Sequence, residues 1–177
     1  NYIIKNKFND FLLWPIDGDD HLISGSRDLV DKAFENEKIN IISFGMIKVT
    51  KKKSLHFGYN GAINYHEALM SYKTPCGSTI LRIKNKSLLK KLRFSKRKRA
   101  NDQLFFLSAI KFFKLLFLKE EPIFIYNSND SIGLSRKKWK MPFYKFLALR
   151  DLGINPIKSF FYLIIYLKVN TIDKLVS

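Results

Sequence analysis

Three carboxylates fall within four positions at Asp17-Gly18-Asp19-Asp20, directly after the apolar run Phe11 to Ile16. Adjacent carboxylates repel one another, and taking them out of water is costly. A hard divalent cation, Mg2+ or Mn2+, explains such a cluster at a strand end, because it takes oxygen ligands and often shares them with substrate phosphates. An acidic turn explains it too, with Asp20 capping the next helix. Spacing alone leaves both open. Other reactive side chains are sparse. His21, His56 and His66 are the only histidines, and none has ligand spacing; His21 reads as a surface residue beside the cluster. Cys76 is the only cysteine, which excludes an internal disulfide and a cysteine-based zinc site. It reads as a small buried residue rather than a nucleophile.

The elements that must position these residues alternate between strand and helix signals. Phe11 to Ile16 is short, continuous and apolar, as a buried strand is. Ser26 to Asn36 has Leu29, Val30, Ala33 and Phe34 at helical spacing, with Ser24 or Ser26 as cap and Asp28 suited to the helix dipole. Strands are expected at Asn40 to Val49, Ser54 to Tyr59, Gly77 to Ile83 and Pro122 to Tyr126. Lys51 to Lys53 and Gly58 to Asn64 read as turn and loop. Helices are expected at Tyr65 to Ser71, Lys84 to Leu92, Asn101 to Phe117 and Trp139 to Leu149. Asn127 to Ser135 reads as a polar loop, and Gly153 and Pro156 break the chain. The sum is a mixed α/β order without internal repeats. At 177 residues the chain is one domain or most of one.

An acidic cluster after an apolar strand, then Leu22 and the helix Leu29 to Phe34, resembles the family 2 glycosyltransferases. A second matching segment is Asn101-Asp102-Gln103-Leu104-Phe105, and a third is the polar loop Asn127 to Ser135 after the strand Ile123 to Tyr126. The resemblance covers residues 1 to 135 and implies the GT-A fold, a Rossmann-like mixed sheet flanked by helices. Residues 136 to 177 would be a basic, aromatic helical extension. Two departures stand out. The family's first part, a βαβ region of about 90 residues of the nucleotide-binding kind, has no counterpart here. The chain is therefore expected to be N-terminally incomplete and to bind sugar nucleotide poorly by itself. Asn101 also stands where many members carry Glu.

The resemblance implies roles for single residues. Transfer from a nucleotide-sugar requires a neutralised diphosphate leaving group and a deprotonated acceptor hydroxyl. Asp19 would be the metal ligand bridging Mg2+ or Mn2+ to the diphosphate. Asp17 would face the ribose or the metal's water shell. Asp20 would orient the others, bind directly or cap the helix. Gly18 would let backbone and donor approach closely. Asp102 would be the general base, kept ionised by Lys96 to Arg99; its plain alternative is a first-turn helix acid. The implied acceptor is a saccharide or lipid-linked sugar in surface-glycan synthesis, and the implied reaction is inverting.

The charge bears on partners. The net charge of +17 implies affinity for anions. Arg82 to Arg99 holds ten Lys or Arg and no acid. It reads as a solvated face, an anionic-membrane contact, or a binder of nucleic acid or a phosphorylated acceptor; each basic residue near an anionic bilayer contributes roughly 1 kcal/mol. The aromatic and basic stretch Trp139 to Lys168 adds weight to the membrane reading. The longest apolar run, Phe160 to Leu167, is far shorter than the about 20 residues of a membrane span. A cytoplasmic enzyme, peripheral on the inner face of the cell membrane, fits these features. The competing view is a basic nucleic-acid- or membrane-binding module without catalysis. It explains the charge but not Asp17, Asp19 and Asp20, and no zinc finger, RNP-like motif or glycine-rich phosphate loop accompanies it.

Overall fold

The computed structural model describes residues 10–16, 21–49, 54–58, 60–71, 76–84, 86–92, 101–127 and 140–176. Its elements in order are β1 (Phe11–Leu13), β2 (His21–Leu22), α1 (Ser26–Ala33), β3 (Ile41–Val49), β4 (Ser54–Phe57), β5 (Asn60–Ile63), α2 (Tyr65–Ser71), β6 (Thr79–Ile83), α3 (Lys86–Leu89), α4 (Asn101–Ile110), β7 (Leu115–Asn127), α5 (Met141–Asp151) and α6 (Pro156–Val176). The fold is mixed α/β. The seven described strands form one sheet in the order β1-β6-β3-β7-β2, with β4 on β3 and β5 on β7. β3 and β7 run parallel, and every other pairing is antiparallel.

Alternation along the strands splits the core by face, since successive side chains point oppositely. Ile41, Leu81, Ile83, Leu115 and Phe117 meet Leu69 of α2, Phe105 to Leu107 of α4 and Leu149 of α5. Ile42, Phe44, Ile80, Ile123 and Phe124 meet Val30 of α1 and Phe34 just beyond it. Helices thus cover both faces. α6 packs against α2 and α5, with Tyr162 against the first cluster.

Several details differ from the sequence expectations. The buried strand expected over Phe11 to Ile16 keeps only Phe11–Leu13, which is half-buried, and Ile16 is exposed. The helix expected over Asn101 to Phe117 ends at Ile110. The amides of Phe112 and Phe113 close its last turn onto the Ala109 carbonyl. Leu115 to Leu118 then joins β7, because both its edges find partners, β3 on one side and β5 on the other. The loop expected over Gly58 to Asn64 contains β5. Its residues carry little strand propensity, but Asn60 Oδ1 accepts from the Lys119 amide at 2.9 Å and fixes the start of the ladder. Neither Ser24 nor Ser26 caps α1. Gly25, with φ of 80°, holds the cap position, and the Ser26 hydroxyl faces the carbonyls of Ile23 and Ile123 instead.

β7 is irregular in its middle. Phe44 pairs with Leu118, but Gly45 pairs with Pro122, so Lys119 to Glu121 bulge out. Gly45 makes this possible: a Cβ there would lie 2.1 Å from the Lys119 carbonyl oxygen.

Candidate functional site at the carboxyl end of the sheet

β1, β3 and β7 all point the same way, and β6 enters from the opposite end. The chain leaves β1 at Leu13, which is level with Leu81 and Ile41. It returns at His21, opposite Ile125 in the carboxyl half of β7. Between these points it passes from one side of the β3–β7 pair to the other. In open α/β sheets ligands bind at the carboxyl ends of the parallel strands.

Both ends of this connection are anchored. The Trp14 indole Nε1 donates to the Gly77 carbonyl at 2.8 Å. Gly77 itself lies against the Phe124 ring, and a Cβ there would come 2.7 Å from Phe124 Cε2. On the far side, the Ile23 amide donates to the Ile123 carbonyl at 3.0 Å, and Ser26 ties the first turn of α1 to the same carbonyl at 2.6 Å. Beside Gly77, Thr79 Oγ1 donates to Ser43 Oγ at 3.1 Å, and Ser43 and Ser78 share a hydrogen bond at 3.3 Å. All three hydroxyls are buried, so their mutual bonding removes a desolvation cost.

Asp17, Gly18, Asp19 and Asp20, the expected metal and donor residues, lie outside the described residues, as do residues 128–135 of the expected polar loop. Among the described residues no group of three or more His, Cys, Asp and Glu is arranged to hold a metal ion. His21 and His56 are exposed. Asp102 stands half-buried in the first turn of α4, where an acid suits the helix dipole. The rest of α4 is fixed by Phe105, Phe106, Leu107, Ala109 and Ile110 in the core, so Asp102 sits on a rigid mount.

The basic run is partly neutralised where it begins. Arg82 Nη2 donates to Asp10 Oδ2 at 2.8 Å, and Nε donates to the same carboxylate at 3.0 Å. This bonding holds the Asp10 carboxyl below its usual range and raises Arg82 further. Lys84 lies 3.7 Å from Glu37. Lys96 to Arg99, expected to keep Asp102 ionised, fall outside the described residues.

Lys145 has no counterpart among the sequence expectations. It is only 2% exposed, and its Nζ has no hydrogen-bond partner among the described residues. The ammonium lies 4.7 Å from the centre of the Tyr166 ring on α6. Burial pushes its pKa down to about 7. The signal was its spacing: Lys145 is four residues before Leu149, on the buried side of α5.

No family model matches the sequence, and no curated protein does. Two solved structures of S. aureus TarS, residues 1–349, are similar in fold. The one in complex with UDP-GlcNAc has a TM-score of 0.54 at 12% identity, over 88% of this chain and 47% of that one. The other has a TM-score of 0.53 at 13% identity, over 88% and 45%. The chain thus spans about half the length of these structures. The likeness is one of fold.

Proposed function

We propose that this chain carries the diphosphate-binding and catalytic part of a GT-A-type, family 2-like glycosyltransferase. The reaction moves a sugar, with inversion, from a nucleotide-sugar donor to a saccharide or lipid-linked acceptor. The observation that carries this reading is the connection from β1 to β2. Its two described ends are anchored, at Trp14 and at Ile23, and in the sequence it holds Asp17, Gly18, Asp19 and Asp20; the fold is like that of a protein crystallised with UDP-GlcNAc.

Three carboxylates in four positions fit a hard divalent cation, and Asp19, with Asp17 and Asp20, would hold Mg2+ or Mn2+. When bound, the cation supplies positive charge to the departing diphosphate. The chain's own residues do the rest. Gly18, having no side chain, would let the donor approach the backbone closely. The Trp14–Gly77 bond keeps the entry to the acidic segment in place. Asp102 accepts the proton of the acceptor hydroxyl as the oxygen attacks the sugar, and its half-buried place at a helix start limits its freedom.

The test is a screen of nucleotide-sugar donors with Mn2+ present, read as release of nucleoside diphosphate. Release with one donor and a saccharide or lipid-linked acceptor is the expected result. Absence of turnover and of diphosphate binding across the screen, in a protein that contains this chain and a nucleotide-base-binding region, overturns the proposal.

A further inference from the structure

α6 turns its more apolar side outward. Ser159 is fully buried, and Tyr162, Leu163 and Tyr166 are half-buried on the inner side. Ile157 is 82% exposed, Phe160 59%, Phe161 60% and Ile164 49%, and Leu167 continues the same line. With 3.6 residues per turn these positions form one stripe, about 15 Å long and about a third of the helix circumference wide. Scattered exposed apolar residues are ordinary, but a contiguous stripe of large ones marks an interaction surface. Phe143, at 60% exposure on the adjoining α5, adds another large ring near the other end of the hairpin.

We propose that this outer face of α6 docks the protein on a bilayer containing anionic lipid. Charge selects this occupant. From Leu152 to Ile172 the sequence has no acid, and among the residues of the hairpin whose exposure is described the exposed cations Arg150, Lys158 and Lys168 outnumber the one exposed acid, Asp151. A helix with large apolar side chains on one face and basic residues beside them lies in the membrane interface, with its apolar face at the headgroup boundary. A second copy of the chain would bring another +17 against the first, whereas an anionic surface attracts it. The helix docks rather than spans, because among the described residues no helix is long and apolar enough to cross a membrane. The inference rests on α6 and the charge, not on the transferase reading.

The experiment is co-sedimentation of the full chain with vesicles of phosphatidylcholine alone and of phosphatidylcholine mixed with phosphatidylglycerol. The comparison is the triple variant Phe160→Ser, Phe161→Ser, Ile164→Ser. These side chains are exposed, so the variant keeps its fold, as circular dichroism and a thermal melt verify. Wild type is expected to bind the mixed vesicles more tightly than the neutral ones. The variant is expected to lose about a hundredfold or more in partitioning, since each large apolar side chain removed from water is worth roughly tenfold. Equal binding by variant and wild type, absence of binding to mixed vesicles, or a wild-type dimer in light scattering that the variant abolishes each overturns the proposal.

Discussion

Lys145→Met is expected to stabilise the protein, and by an amount that depends on pH. The amine is buried and lacks a hydrogen-bond partner among the described residues, so its charged form is the costly one. Its pKa in the fold is about 7 against an ordinary 10.5. Because the folded value is the lower, the penalty is full below pH 7, where both states carry the proton. It shrinks as pH rises, because the unfolded chain still holds a proton that the folded one has released. It is gone above pH 10.5. A tenfold change in proton affinity between the folded and unfolded chain is worth about 1.36 kcal/mol, so the desolvation cost alone is roughly 4–5 kcal/mol. Met has a similar length and no charge, so it fills the site with little strain. Urea unfolding of wild type and variant at pH 6, 7, 8 and 9 is the assay. The variant should be more stable by roughly 4–5 kcal/mol at pH 6, and the gap should narrow as pH rises to 9. Parallel stability curves, or a variant weaker at every pH, refute the reasoning.

Gly77→Ala should cost about 2 kcal/mol or more, because the new Cβ would collide with the Phe124 ring; unfolding with no change in midpoint would contradict the close contact. The same variant should reduce turnover beyond its stability cost, since it shifts the carbonyl that anchors Trp14; turnover in proportion to folded protein would remove that anchor from the mechanism. Asp102→Asn should lower turnover by about a hundredfold or more while leaving donor affinity unchanged. Equal loss of binding and turnover, measured by titration and by diphosphate release, would make Asp102 a helix acid only.

Much of the fold was written in local patterns. The Ile- and Val-rich β3 and the spaced Leu29, Val30 and Phe34 each carry one period, and each formed the expected element, while the apolar run at Phe11 formed only a three-residue strand. What failed was set by pairing. Leu115 to Leu118 is apolar at every position, so it suits a helix face or a two-sided strand, and only β3 and β5 decide between them. Asn60, Gly61 and Ala62 carry no strand signal; the partner's backbone makes them a strand. Of the candidate site, the acids Asp17, Asp19, Asp20 and Asp102 were visible as residue types. The bond from Trp14 to Gly77 spans 63 positions and has no local signature. Lys145 was hidden by its chemistry, because a lysine in a basic stretch reads as solvated.

The most direct test of the proposed transfer reaction is the cation dependence of nucleoside diphosphate release from the preferred donor, measured for wild type and Asp19→Ala across a Mn2+ titration. Wild-type turnover should rise with Mn2+ and be abolished by chelation, and the variant should stay inactive at every Mn2+ concentration. Normal turnover in Asp19→Ala, or wild-type turnover indifferent to chelation, contradicts a cation held by the acidic segment.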